Sequence, residues 1–221
     1  EVERSFENHQ CGPMTRMQRL GLCEGPASRL WVHGLWVSNE ELNNLTPLDC
    51  LIHCPSAQMQ FDFPAPTQPW LDRNLKVLLG TDAPSCNDAI NVQSELRFFG
   101  GASSYQITTD PLHETYRKSG LLEDALRVRE QRQANWVQNT EGRTPETLLS
   151  SVWGNAKTLH PEAKVGVIEK GALANICVWD SEHPALWPNS NPLHSLCFNN
   201  TQAALNRIMI CGEWKIDGAG D

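Results

Sequence analysis

The sequence has no excess of positive charge: 18 Lys and Arg stand against 26 Asp and Glu, a net charge of -8 at pH 7. That balance argues against nucleic acid or an anionic membrane as the partner, since both reward clustered cations. No apolar run is long enough to cross a bilayer, and the opening residues do not form a basic, then apolar leader. The expected partners therefore include no nucleic acid and no membrane, and the expected location is cytoplasmic. A regular cysteine framework is missing too. The eight cysteines (11, 23, 50, 54, 86, 177, 197 and 211) are spread along the chain, as expected for buried thiols in a reducing cytosol and not for disulfides. Nor is there a nucleophile elbow: Gly101-Ala102-Ser103-Ser104 lacks both the second glycine and the strand–turn–helix context.

What is present is an ordinary globular composition, 40% hydrophobic and 20% charged over 221 residues, enough for a buried core in one or two domains. The chain opens at Glu1 inside a helical pattern that is expected to run over residues 1–22, so an upstream truncation is expected. A short strand, Arg29 to Val32, ends in His33-Gly34. Ser38-Asn39-Glu40-Glu41 is a capping box that starts a short helix. A second strand, Asp49 to Cys54, is stopped by Pro55, and residues 56–67 read as a loop. A helix near Trp70 to Asn74 leads to a third strand.

The rest of the chain is organised around that third strand, Val77-Leu78-Leu79, and the Gly80-Thr81-Asp82 that breaks it. Strand, helix, strand, helix, strand within about fifty residues implies parallel pairing through right-handed crossovers. His33, His53 and Asp82 then fall at the carboxyl ends of three neighbouring strands, where α/β folds place their ligands. Beyond this, helices are expected from Ala89 to Phe99, ended by Gly100-Gly101, from Leu112 to Gln138 with Leu121, Leu122, Ala125, Leu126 and Val128 as the apolar stripe, and from Thr144-Pro145 to Leu159. Val165–Gly171 is expected as a turn between short β segments, Ala174–Asp180 as a strand, and two more β segments at Arg207–Ile210 and Glu213–Ile216, joined by Cys211-Gly212.

His-Gly after one strand, His-Cys-Pro after the next, and Gly-Thr-Asp with Ser85-Cys86-Asn87-Asp88 after the third resemble the amidohydrolase superfamily. Within it the nearest branch is that of cytosine-, guanine- and adenosine-type deaminases and triazine hydrolases (chlorohydrolases). Thr144-Pro145-Glu146, Gly154-Asn155-Ala156-Lys157 and Gly166-Val167-Ile168-Glu169-Lys170-Gly171 are similar to the family's closing helix and its re-entry into a β domain. The resemblance covers nearly the whole chain and corresponds to the C-terminal half of such an enzyme. It implies an α/β fold: strands six to eight of a metal-dependent (β/α)8 barrel over residues 1–162, then part of a small C-terminal β domain over 163–221.

The resemblance further implies hydrolysis of non-peptide C–N bonds, through hydrolytic deamination of an N-heterocyclic small molecule by metal-activated water. Asp82 is the implied metal ligand and proton shuttle. His33 is the implied proton-transfer partner, described in some relatives as a ligand. Ser85 and Asn87 would line and orient the site, with His53 in contact with substrate or behind it. The implied cofactor is a divalent metal, zinc before iron. Deamination, dehalogenation and amide hydrolysis all fit the resemblance, and a homo-oligomer is left open. The family's His-x-His and His-x-x-Glu are not in this sequence, so the remaining ligands are expected to lie outside it and the chain alone is expected to be inactive. Two other readings are a zinc site built on Cys50, His53 and Cys54, and a noncatalytic α/β domain for binding or assembly. Strand alternation counts against the first, because it turns Cys50 and Cys54 to one face and His53 to the other.

Overall fold

The computed structural model describes residues 2–61, 65, 67–102, 118–138, 144–216 and 218. The expected helix start at Leu112, and Ser103, Ser104 and His113, lie outside them. Helices α1 (Val2–His9) and α2 (Pro13–Arg19) come first. The single helix expected over 1–22 is interrupted at Gln10, whose φ of 53° leaves the helical region. Strand β1 (Arg29–Val32), helix α3 (Asn39–Asn43), strand β2 (Asp49–His53), helices α4 (Pro55–Phe61) and α5 (Gln68–Asp72) and strand β3 (Val77–Leu79) follow. The three strands form a parallel sheet in sequence order, with Trp31 beside Leu51 and Leu51 beside Val77. The crossovers expected from the sequence are therefore present, and the Ser38–Glu41 capping box forms as written, with both reciprocal hydrogen bonds.

Alternation decides which side chains meet. Leu51 and Val77 lie in the buried core with Trp70, Leu96, Phe99, Leu148 and Leu149, and Trp31 packs against it. On the opposite face Leu30 and Val32 of β1 are exposed. The outer edge of β3 is covered: Leu79 N donates to the Ser151 carbonyl, and Asn155 Nδ2 donates to the carbonyl of Val77. Among the described residues, β1 is paired on one side only, by β2.

Several expectations are corrected. Residues 55–61 are helical, not loop, because Pro55 suits a first helical turn and an apolar anchor, Ala57, is buried. Helix α6 (Val92–Ala102) runs through Gly100-Gly101. Gly100 serves packing instead, since a Cβ there would come within 2.7 Å of Phe198 Cε1. In α7 (Leu122–Gln138) Val128 is buried, but Leu122 and Leu126, like the preceding Leu121, are exposed. Helix α8 (Pro145–Ser150), capped by Thr144, gives way to a 3-10 turn at Gly154–Thr158. The turn expected over residues 165–171 is present, but no strand precedes it.

The tail forms an antiparallel sheet, β4 (Ile176–Trp179), β5 (Leu205–Ile210) and β6 (Glu213–Ile216). Cys211 and Gly212, at φ of 51° and 84°, make the tight β5–β6 turn, and Asn175 Oδ1 accepts from the Cys211 amide. Between β4 and β5, helix α9 (Pro192–Phe198) packs on α6 and α8, so the tail is anchored to the parallel unit. The eight cysteines are all free thiols, four of them buried (11, 50, 54 and 197). Among the described residues, no helix is long and apolar enough to cross a membrane.

The amino end of the sheet is fixed by Asp49. Its carboxylate accepts from Arg29 Nε and Nη2 at 2.7 and 2.9 Å, from Trp31 Nε1 at 2.8 Å, and from the Thr46 amide and hydroxyl. Burial alone would raise this carboxyl, but those donors outweigh it and hold it well below the usual range. Its folded pKa is depressed, so its stabilisation is full above the unfolded carboxylate range near pH 4 and is lost as pH falls below it. Asp49→Ala leaves Arg29 and Trp31 without their partner and is expected to cost about 3 kcal/mol. Urea unfolding at pH 7 measures the loss, and the gap between the two proteins should narrow below about pH 4.

Candidate active site

Parallel strands end on one rim, and here the rim carries strained backbone. His33 follows β1 with φ of 70° and Gly34 with φ of 62°. His33 N still donates to the Ile52 carbonyl, after which the chain turns sharply out of the ladder. Gly34 is required twice over, by its left-handed φ and because a Cβ would meet Trp70 Cζ2 at 2.9 Å. Asp82, three residues past β3, has φ of 62°. Non-glycine residues at positive φ cost about 1 kcal/mol or more and concentrate where function demands them.

These two turns bring the side chains together across β2. His33 Nε2 lies 3.6 Å from Asp82 Oδ2, with both side chains partly open to solvent. Asp82 Oδ1 accepts from the Ala83 amide at 2.7 Å, which orients the carboxylate. His33 Nδ1 is buried without a hydrogen-bond partner. Cys54, the residue after β2, completes a triad: its sulfur, a ring nitrogen of His33 and a carboxylate oxygen of Asp82 all lie within 4.8 Å of one another. Burial pushes the Cys54 thiol up to about 11, helped by the negative charges of Asp82 and Glu95. Nitrogen, sulfur and oxygen donors are the types that suit a borderline-soft divalent cation such as zinc.

The other expected residues take different places. His53 is fully buried on the helix-covered face, its ring edge-on to Trp70 and Phe99 at 5.9 and 5.7 Å between centroids. Burial, with His33 nearby, lowers its pKa to about 4, so it is a neutral ring at pH 7. Cys50 is buried, with its thiol against the Leu51 carbonyl. The group Cys50, His53, Cys54 is not assembled; Cys54 joins His33 and Asp82 instead. Ser85 sits exposed on the turn closed by Cys86 N and Asn87 N on the Ala83 carbonyl. Asn87 is buried and gives its side-chain amide to the Thr81 carbonyl at 3.0 Å and to Glu95 Oε1 at 2.7 Å.

Glu95 is the residue that the motifs did not mark. It is 1% exposed, and its second oxygen accepts from the Ser56 amide at 2.9 Å. One carboxylate thus ties the exit of β2 to the loop that carries Asp82. The available signal was a charge on the apolar face of α6, flanked by Leu96 and one turn from Phe99. Glu95→Ala leaves the part-buried Ser56 amide and one N–H of the buried Asn87 side chain unpaired and is expected to cost about 3 kcal/mol. Glu95→Gln, which keeps an acceptor for one of them, should cost less; urea unfolding of the two variants gives the comparison.

No family model matches the chain. It is similar to the 5-methylthioadenosine/S-adenosylhomocysteine deaminase of Thermoanaerobacter pseudethanolicus, 26% identical over 216 residues, which are 96% of this chain and 43% of that protein. It is 20% identical over 215 residues to the 5'-deoxyadenosine deaminase of Methanopyrus kandleri, with 96% and 42% covered. In structure it resembles the zinc-bound adenosine deaminase of Xanthomonas campestris, with a TM-score of 0.73, 19% identity, and 99% and 43% of the two chains covered. A zinc complex of the atrazine chlorohydrolase of Arthrobacter aurescens follows at 0.72 and 16%, covering 98% and 42%. The chain spans less than half the length of these relatives. They are the kinds of enzyme toward which the strand-end motifs pointed: the chain is similar in sequence to the deaminases over less than half of their length, and it shares the fold of the adenosine deaminase and chlorohydrolase structures.

Proposed function

We propose that this chain is the C-terminal part of a metal-dependent hydrolase that deaminates an N-heterocyclic small molecule. The observation that carries the reading is the meeting of His33 and Asp82 at 3.6 Å, each held in left-handed backbone at the carboxyl end of a parallel strand. The relatives named above are a nucleoside-type deaminase series and a chlorohydrolase, two of them solved with zinc. We read β1, β2 and β3 as strands six to eight of a (β/α)8 barrel over 1–162, and residues 163–221 as part of a small β domain.

A divalent cation, zinc before iron, would be held by Asp82 and supply Lewis-acid activation of water at neutral pH. The chain's own residues handle the protons. Asp82 accepts the proton released as water adds to the amino-bearing sp2 carbon, and returns it to the departing nitrogen. His33 donates to, or polarises, the ring nitrogen next to that carbon, which stabilises charge as the ring loses aromaticity. Asn87 acts through Glu95 and Thr81 to place Asp82, Ser85 stands at the mouth of the loop, and His53 supports the rim from within the core.

The test uses the polypeptide extended to the length of its relatives, with adenosine-type, guanine and triazine substrates. One metal per chain is expected, together with ammonia release. Asp82→Ala should remove both, and His33→Gln should slow turnover by about 10² or more. An extended protein that holds no metal, or that keeps its activity without Asp82, would place the chain among noncatalytic binding or assembly domains.

The open edge of β1 and the exposed Leu30 and Val32 beside it also support self-association of the isolated chain. Light scattering after gel filtration should find species larger than a monomer, and Val32→Lys should reduce them.

A further inference from the structure

We propose that Gln58 is a positioning residue for the reaction: its buried amide holds the turn that carries His33, and so sets the His33 ring against Asp82. The inference rests on the deaminase reading above for its chemistry. It adds to that reading a side chain that no sequence motif marked.

His33 stands at the centre of a γ-turn. The Gly34 amide donates to the Val32 carbonyl at 3.0 Å, around a His33 φ of 70°. This hand of γ-turn is rare and strained, and it persists only where the surroundings hold it. Trp70 closes in on the following residue, where a Cβ on Gly34 would meet its ring. Gln58 holds the turn at the residue itself: its Nε2 donates to the His33 carbonyl at 3.2 Å. The other end of the same amide, Oε1, accepts from the Ala65 amide at 3.4 Å, and the group faces the buried His53 ring. An amide with an acceptor at one end and a donor at the other is seated one way round only.

Filling space does not call for this side chain. Gln58 is 4% exposed, and an amide is costly to bury unless it is hydrogen-bonded, whereas an apolar side chain of the same length would fill the volume without that cost. The place of Gln58 in α4 gives it its reach. That helix starts directly after Cys54, and its first turn is bonded on two flanks. Ser56 N donates to Glu95, which reaches the Asp82 loop through Asn87 and the Thr81 carbonyl. Gln58 reaches the His33 turn on the other flank. One helical turn is thereby tied to both loops whose side chains meet at 3.6 Å. Proton transfer needs that spacing kept, since a misplacement of about 1 Å in a reacting group can cost about 10² in rate.

The test uses the polypeptide extended to the length of its relatives, with the substrate that it turns over fastest. Gln58→Met keeps the length of the side chain and removes the donor. It should lower kcat about tenfold or more while KM stays within about twofold, because the groups that bind substrate are untouched. Gln58→Asn, which keeps a shorter amide, should recover part of the loss, and Gln58→Glu, which sets an acceptor against the His33 carbonyl, should recover none. Gln60→Met, on the exposed side of the same helix, should change neither constant. Hydrogen exchange supplies a reading independent of turnover. In Gln58→Met the Gly34 amide should exchange about tenfold faster, while the Leu51 amide, bonded to the Lys76 carbonyl within the sheet, keeps its rate. Where Gln58→Met does not fold, Gln58→Asn and Gln58→Glu decide by the same readings. An unchanged kcat, a loss confined to KM, or Gly34 exchange that does not move would overturn the proposal. An unaltered extended protein that turns over no substrate would overturn the deaminase reading instead, and Gly34 exchange would then decide by itself whether Gln58 holds the turn.

Discussion

The arrangement at the strand ends depends on one buried carboxylate. Glu95 accepts from the Ser56 amide, just past β2, and from the Asn87 side chain, which also holds the Thr81 carbonyl just before Asp82. Two loops that leave neighbouring strands are thereby fixed to a single point on α6. Desolvating a carboxyl group is costly, and among the described residues these two hydrogen bonds offset it. Asp82 keeps its left-handed backbone with the Thr81 carbonyl held by Asn87 and the Ala83 amide bonded to its own carboxylate.

The same rim shows how one residue type meets two fates. His33 follows β1 and His53 ends the adjacent β2, the first leading into a turn and the second, through Cys54, into α4. His53 stays in the ladder opposite Leu79, so alternation sends its ring into the helix-covered core between Trp70 and Phe99. His33 leaves the ladder at positive φ, with Trp70 beneath Gly34 blocking any side chain at the next position, and its ring turns outward to Asp82. A histidine in the core is neutral and packs; a histidine on the rim can exchange protons. Backbone conformation at one residue separates these roles.

Beyond the rim, the two sheets are linked by helices and not by strand pairing. Helix α9, from the tail, packs on α6 and α8, and Gly100 allows Phe198 to lie against α6. Segment 151–155 closes the outer edge of β3 through Ser151 and Asn155. The elements that follow Asp82 therefore brace the strand and the helix that hold it, while the exposed face of β1 is left uncovered.

Patterns that are local in the chain were legible before any coordinates. The strands at 29–32, 49–53 and 77–79, the Ser38 capping box, the Cys211-Gly212 turn and the positions of His33 and Asp82 follow from apolar runs, caps and breakers, whose physics spans a few residues. Other features were hidden because they depend on what lies across the fold. Gly100-Gly101 reads as a helix stop until Phe198 is seen against it, and Pro55 reads as a strand stop until α4 is seen to start there. Leu122 and Leu126 look like a buried stripe, yet nothing among the described residues covers them. Glu95 looks like one more surface charge, and Cys54 looks like half of a cysteine pair. The sequence by itself determined the parallel order of the strands and therefore which residues stand at their carboxyl ends. Alternation along a strand can be read from spacing, but tertiary structure alone decided which of them meet, because a distance between side chains on different strands also depends on register and on the backbone turn at each strand end, and neither is written in the spacing of residues along the chain.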